Sequence, residues 1–393
     1  MARRRALRPC VLALAACLAL AACLDLAACF GRRETPGAGL PPGALLLARS
    51  SALQRLLATA AQLEGTPLAR HARTLAGRLP ACEWVEARAD SSAELAGALA
   101  CGDPDGSLAA LYRERGEHDL AFALPVRADA RLVGSASVGT DGSLAVSLVL
   151  PGDALMGPAA FLLPGSEPAG APVLSTSEQL VHARVRAGER LDLAAFVSVE
   201  GQASRLFRLE SELFSGLVLD DTWEAAVYPP EAGHTSPRAA LALGFRERTA
   251  AIAAIEGFLE NVRESWSVHR SVFSVGGASG ACLLDLNLLP DLAPCYVATQ
   301  RALVVGWNPA SLRKALDGAS DEAAVSAELG GPGSLVLDLA RTQQADTRLR
   351  VLAPAGAALL PQQPYPWRRL MLSGERVRDG VRLRLELAAK ESA

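Results

Sequence analysis

Three runs between residues 120 and 150 change character at every second residue, and nothing else in the 393-residue chain constrains its fold so tightly. Residues 120–126, 132–138 and 144–150 read as strands of a half-buried antiparallel sheet, because side chains alternate between the two faces of a strand. Between the last two, Gly139-Thr140-Asp141-Gly142 ends in Asp-Gly, a pair suited to the positive φ angles of a tight hairpin. The same pattern predicts further strands at 44–48, 83–88, 180–185, 223–228, 239–245 and 266–275. It continues at 296–299, 302–307, 335–339, 370–377 and 381–387, the last two forming a hairpin around Asp379-Gly380. Apolar residues at helical spacing predict helices over 53–63, 67–79, 92–100, 108–115, 201–213 and 248–262. Asn308-Pro309 opens another helix with a capping side chain and a proline at its first position.

This order of elements implies an α+β fold: mostly antiparallel sheets with helices packed on one face. Strand-then-helix openings followed by meanders occur twice, which suggests two similar halves. Glycine and proline concentrate at 152–171, so the halves are expected at 44–165 and 172–393.

The first thirty residues belong to a different kind of segment. Arg3, Arg4, Arg5 and Arg8 precede an apolar run from Val11 to Leu24, shorter than the roughly 20 residues that a spanning helix needs. A basic start followed by a short apolar stretch is the layout of an export signal peptide. Residues 30–43 carry the proline and glycine density of a tether.

Within that segment Leu-Ala-Ala-Cys occurs three times, ending at Cys17, Cys23 and Cys29. It resembles the lipobox of bacterial lipoproteins. That resemblance implies that one thiol receives diacylglycerol and, after cleavage, becomes the acylated N-terminus. Cys23 has the best apolar run before it, whereas Cys17 follows a short one and Cys29 one interrupted by Asp25, so these two are the alternatives. The expected organisation is a signal peptide over 1–22 and an acylated N-terminus with tether over 23–43. Its partner is the membrane, reached through acyl chains worth about 0.8 kcal/mol per buried methylene. Leu24, not aspartate, follows Cys23, which by the same resemblance favours the periplasmic face of the outer membrane.

A second resemblance lies in the folded part. Cys295-Tyr296-Val297-Ala298, Arg301-Ala302-Leu303-Val304-Val305-Gly306-Trp307-Asn308-Pro309 and the helix after it resemble a unit of uncharacterised exported bacterial proteins. The opening Pro41-Pro42-Gly43-Ala44-Leu45-Leu46-Leu47 does so too. The resemblance implies a fold type and an envelope location, with no established activity.

Half of the residues are hydrophobic, 21% are charged and the net charge is -3, a globular balance without the concentrated basic face that nucleic acid requires. Four cysteines lie in the folded part: Cys82, Cys101, Cys282 and Cys295. An even number in an oxidising compartment predicts disulfides, and of three connectivities the local one pairs Cys82 with Cys101 and Cys282 with Cys295. Zinc is the weaker reading, since neither pair has the spacing of zinc ligands.

Candidate chemistry is sparse. Ser311-Leu312-Arg313-Lys314 matches the Ser-x-x-Lys pattern of penicillin-recognising serine enzymes, without their Ser-Asp-Asn or Lys-Thr-Gly companions. Gly277-Ala278-Ser279-Gly280 lacks the spacing of a nucleophile elbow and reads as a flexible turn. His71, His118, His182, His234 and His269 form no metal-binding pair. Asp103-Pro104-Asp105-Gly106 and Asp220-Asp221-Thr222-Trp223-Glu224 could approach calcium, but aspartate and glycine serve turns and strand entries more readily. The sequence therefore predicts no catalytic set, no cofactor and no metal. It leaves an envelope lipoprotein that binds or scaffolds other envelope components. The alternatives are a carrier of lipid or another hydrophobic ligand, and a serine hydrolase using Ser311 and Lys314.

Overall fold

The computed structural model describes residues 43–63, 67–90, 97–106, 108, 118–125, 131–151, 164–187, 219–231, 238–266, 268–275, 277–285, 292–317, 331–343, 366–377 and 380–389. The chain divides into two compact units. The first takes residues 1–156, 349–372 and 377–393, and the second takes 157–348 and 373–376. The glycine- and proline-rich stretch at 152–171 thus contains one crossing point, while the C-terminal strands, apart from residues 373–376, belong with the N-terminal unit.

In the first unit, β1 (Ala44–Arg49) leads into α1 (Ser50–Ala61) and α2 (Pro67–Ala76), followed by β2 (Trp84–Ala89) and the short β3 (Ala100–Cys101). Then come β4 (Leu120–Pro125), β5 (Arg131–Val138) and β6 (Leu144–Pro151). Strand β1 pairs antiparallel with β2 on one side and β4 on the other, and Ala44, Leu45, Leu47 and Ala48 are buried on both of its faces, which is why its sequence is apolar nearly throughout. Its Leu45 and Leu47 share a core with Ala121, Ala123, Val133 and Leu108. Helix α1 buries Ala52, Leu53, Leu57 and Ala60 at helical spacing. The β5–β6 connection is a hairpin through Gly139–Gly142. Gly139 N–H donates to the Ser143 carbonyl at 2.9 Å, and Gly142, not Asp141, adopts the positive φ, of 84°.

The second unit contains β7 (Val181–Arg186), β8 (Leu219–Tyr228), β9 (Arg238–Phe245), α3 (Arg248–Trp266), β10 (His269–Val275) and β11 (Ala278–Leu284). It continues with β12 (Cys295–Ala298), β13 (Ala302–Gly306), α4 (Pro309–Leu316) and β14 (Gly333–Asp338). Its strands run in the order β10-β11-β12-β13-β9-β8-β7-β14, each of these pairs antiparallel and β8–β9 shifted in register between Leu219 and Trp223. The last strands, β15 (Trp367–Val377) and β16 (Gly380–Ala389), close the chain, and β16 pairs with β6 of the first unit from Gly380–Pro151 to Leu387–Leu144.

Alternation decides which face each core occupies. On β12, Tyr296 and Ala298 point into a cluster with Phe258, Leu259 and Val262 of α3, whereas Cys295 and Val297 point into one with Leu312 and Ala315 of α4. Phe258 and Tyr296 meet edge to face at 5.1 Å between ring centroids. The two helices therefore cover opposite faces of this sheet.

This overturns the expected fold class. The described residues hold sixteen strands and few helices, a β-rich architecture rather than an α+β layer with helices on one face. The physical reason lies in β12 and β13, which are buried on both faces and so need cover on both. The strands that flank the described helices are also placed differently in the two units. In the first, the strands flanking the helices, β1 and β2, are neighbours. In the second, the strands flanking α3, β9 and β10, are separated by β11, β12 and β13. Two local readings change as well: residues 278–280 begin strand β11 instead of forming a turn, and Ala100 lies in a strand instead of a helix.

Candidate functional site

The densest polar chemistry among the described residues sits on the α4 face of the second unit. Alternation along β7 places His182 and Arg184 on that face, and the β7–β8 register sets Arg184 directly across from Glu224. All three side chains are essentially buried, at 0%, 2% and 2% exposure. Buried charge survives only when paired and hydrogen-bonded. Glu224 Oε1 accepts from His182 Nε2 at 2.7 Å and from the Leu174 amide at 2.9 Å. Its Oε2 accepts from the Val173 amide at 2.8 Å and lies 3.5 Å from Arg184 Nε. His182 Nδ1 lies 2.6 Å from Gln179 Oε1.

Arg184 faces the other way along the same segment. Its guanidinium donates to the carbonyls of Ala169, Gly170 and Ala171, the last at 2.8 Å. Tyr228 donates its hydroxyl to the Ser175 carbonyl at 2.7 Å, and the Ser175 amide donates to Ala315. Residues 169–175 are thereby clasped onto the sheet through their backbone. Burial pushes the Arg184 guanidinium below its ordinary value, opposed by the charges of Glu224 and Asp220. Burial also pushes the Tyr228 phenol up, and the charge of Glu224 adds to that rise.

Against this clasp lies a recess of about 100 Å³, bordered by residues 169–171, Asp220, Thr222, Gly244 and Arg301 and by Arg184 and Glu224 of the clasp itself. A break in strand register between Leu219 and Trp223, with Asp221 at a φ of 67°, accompanies the placement of Asp220 at the recess. Such irregularities re-aim side chains. The Asp220 carboxylate lies over Gly244, where any Cβ would collide with it. Its Oδ1 accepts from the Thr222 amide at 2.9 Å. Arg301 borders the recess from the β12–β13 turn, where its amide meets Thr299 Oγ1. Among the described residues, neither the Asp220 nor the Arg301 side chain forms an ion pair, and the two do not pair with each other.

The structure disperses the candidates read from sequence. Ser311 is buried on α4, where its hydroxyl donates to Asn308 Oδ1 at 2.9 Å and accepts from the Ala239 amide at 3.2 Å. Lys314 turns to Glu178 at 2.8 Å and Ser177 at 3.1 Å. His71 is exposed; His118 lies 3.4 Å from Ser137; His269 meets Asp285 at 3.1 Å on the surface. Asp103 forms a local turn by accepting from the Asp105 amide. Among the described residues no three histidine, cysteine or acidic side chains gather as a metal site.

The four cysteines stand in two pairs at disulfide distance. Cys82 and Cys101 have Cα atoms 5.8 Å apart, and Cys282 and Cys295 face each other in register across β11 and β12, 3.9 Å apart. Cys17, Cys23, Cys29 and His234 lie outside the described residues.

Sequence reasoning treated Glu224 as part of a strand entry and did not consider Arg184. A signal was available: His182 and Arg184 alternate with Ala183 and Val185, so a strand buried on both faces must bury these charges and pair them. Comparison with family models, curated proteins and solved structures returned no match.

Proposed function

We propose that this chain is a lipid-anchored protein of the bacterial envelope, acylated at Cys23, that works by binding and performs no catalysis. The observation that carries the binding reading is the recess beside residues 169–171, bordered by an acid and a base that do not satisfy each other. In the clasp next to it Glu224 and Arg184 hold each other and the backbone of residues 169–174, so their charges shape the recess. Ser311 and Lys314 point to the same role: the hydroxyl proton serves Asn308 and the ammonium serves Glu178. Two cysteine pairs at disulfide distance fit the oxidising compartment that an exported chain enters. The charged border of the recess favours a polar ligand over hydrophobic cargo.

Anchor and activity are tested separately. Metabolic labelling with a palmitate analogue, with mass spectrometry of the N-terminal peptide, is expected to find acyl chains on Cys23 and to lose them in Cys23→Ser. Acylation at Cys29 would move the mature start by six residues, and an unmodified chain would overturn the anchor. Turnover of ester, amide or glycan substrates that is abolished by Ser311→Ala would overturn the non-catalytic reading.

A further inference from the structure

We infer that the recess takes a small zwitterion, an α-amino acid of glycine or alanine size, with its ammonium on Asp220 and its carboxylate on Arg301; this rests on the binding reading above. Three observations carry it.

The first is charge. Asp220 spends Oδ1 on the Thr222 amide and forms no ion pair, and the Arg301 side chain forms none. Two opposite charges that border one small space without neutralising each other are complementary to a ligand bearing both signs. A plain anion would meet Asp220 as a repulsive neighbour, and a plain cation would meet Arg301.

The second is the state of the surrounding charges. Glu224 holds two amides, His182 and Arg184, and Arg184 holds three carbonyls. Neither can turn to a ligand without releasing residues 169–175. Specific recognition therefore falls to Asp220 and Arg301.

The third is size. A space of about 100 Å³ is small and suits a ligand of a few heavy atoms. Gly244 makes room for the Asp220 carboxylate itself, because a Cβ at this position would collide with it. Larger side chains would have to project out of the recess.

The test is isothermal titration of the full-length, detergent-extracted protein with glycine, L-alanine, D-alanine, the dipeptide alanyl-alanine, acetate and methylammonium. Saturable binding of glycine or one alanine is expected, tighter than acetate or methylammonium. Asp220→Asn and Arg301→Gln should each weaken it at least tenfold, since hydrogen bonds to charged groups contribute about that much. Arg301→Gln, at an exposed position, should keep the wild-type melting temperature, and the same melt reads separately any loss in Asp220→Asn, whose charge also faces Arg184. Tighter binding of the dipeptide than of free alanine would identify a peptide end as the source of the same zwitterion chemistry.

Absence of saturable binding by the amino acids and the dipeptide overturns the inference. So does acetate binding as tightly as alanine and unaffected by Asp220→Asn, or methylammonium doing so unaffected by Arg301→Gln. Acylation of Cys23, read by mass spectrometry on the same sample, separates the two readings. An acylated chain that binds none of these ligands refutes the recess alone, and an unacylated chain that binds alanine refutes the anchor alone.

Discussion

At the scale of single residues the decisive quantity is what a buried charge loses when its partner goes. Glu224 is the shared acceptor of His182, Arg184 and two amides, so Glu224→Gln leaves the Arg184 charge buried beside a neutral amide. Breaking a buried pair from one side costs about 3–5 kcal/mol, and denaturant unfolding is expected to read a loss of that order. Arg301→Gln, at an exposed position, should stay within about 0.5 kcal/mol of the parent. Exposed carboxylates set the response to acid. Hydrogen bonds from Lys314 hold Glu178 below the usual 4.5, those from Ser143 hold Asp141 below 3.8, and those from Arg263 hold Glu260 below 4.5. A carboxyl depressed in the folded state stabilises it above the unfolded value and stops doing so as pH falls through the folded one. Urea midpoints should therefore fall as pH drops from about 5 towards 3. Added salt should flatten the contributions of Glu178 and Glu260 more than that of Asp141, whose partner is an uncharged serine.

At the scale of elements, legibility followed the number of wet faces. Strand β6, whose exposed Ala145 and half-buried Ser147 alternate with buried Leu144, Val146 and Leu148, could be read directly from period two. So could α4, whose Asn308 cap accepts from the Ser311 amide at 2.8 Å as its sequence predicts. Strand β11 could not, because Ala278-Ser279-Gly280 has the composition of a turn. Glycine is needed there for another reason: a Cβ on Gly280 would collide with the Tyr296 carbonyl and the Val297 side chain of β12. The same composition thus marks close strand approach at Gly280 and positive φ, of 76°, at Gly277. The two roles are separable by substitution. Gly280→Val should destabilise the fold by about 1–3 kcal/mol through overpacking, whereas Gly277→Asn, at a position asparagine tolerates, should cost much less. The clasp was illegible for a related reason. His182, Arg184 and Glu224 look like wet-face residues until both faces of their strands are known to be covered, and that cover comes from residues 169–175, up to 55 positions away in sequence from Glu224.

At the scale of the whole molecule, sequence order and structural membership part company at the C-terminus. Glycine and proline mark where the chain leaves one unit, but no local composition marks its return. Strand β16 comes back to β6 and pairs along its length, with Val381, Leu385 and Leu387 turned into the core of the first unit. Loss of residues 380–393 would strip β6 of that neighbour and leave the backbone groups and apolar side chains of residues 144–151 uncovered. A chain divided simply into N- and C-terminal halves would lose stability in its second half on such a truncation. The observed pairing predicts the opposite. Hydrogen exchange on the truncated protein should show lost amide protection in β4, β5 and β6, with β8, β9, β12 and β13 still protected. Retained protection at 144–151 would mean that β16 contributes little to holding the first unit, and the C-terminal strand would then have to be assigned by some criterion other than its register with β6.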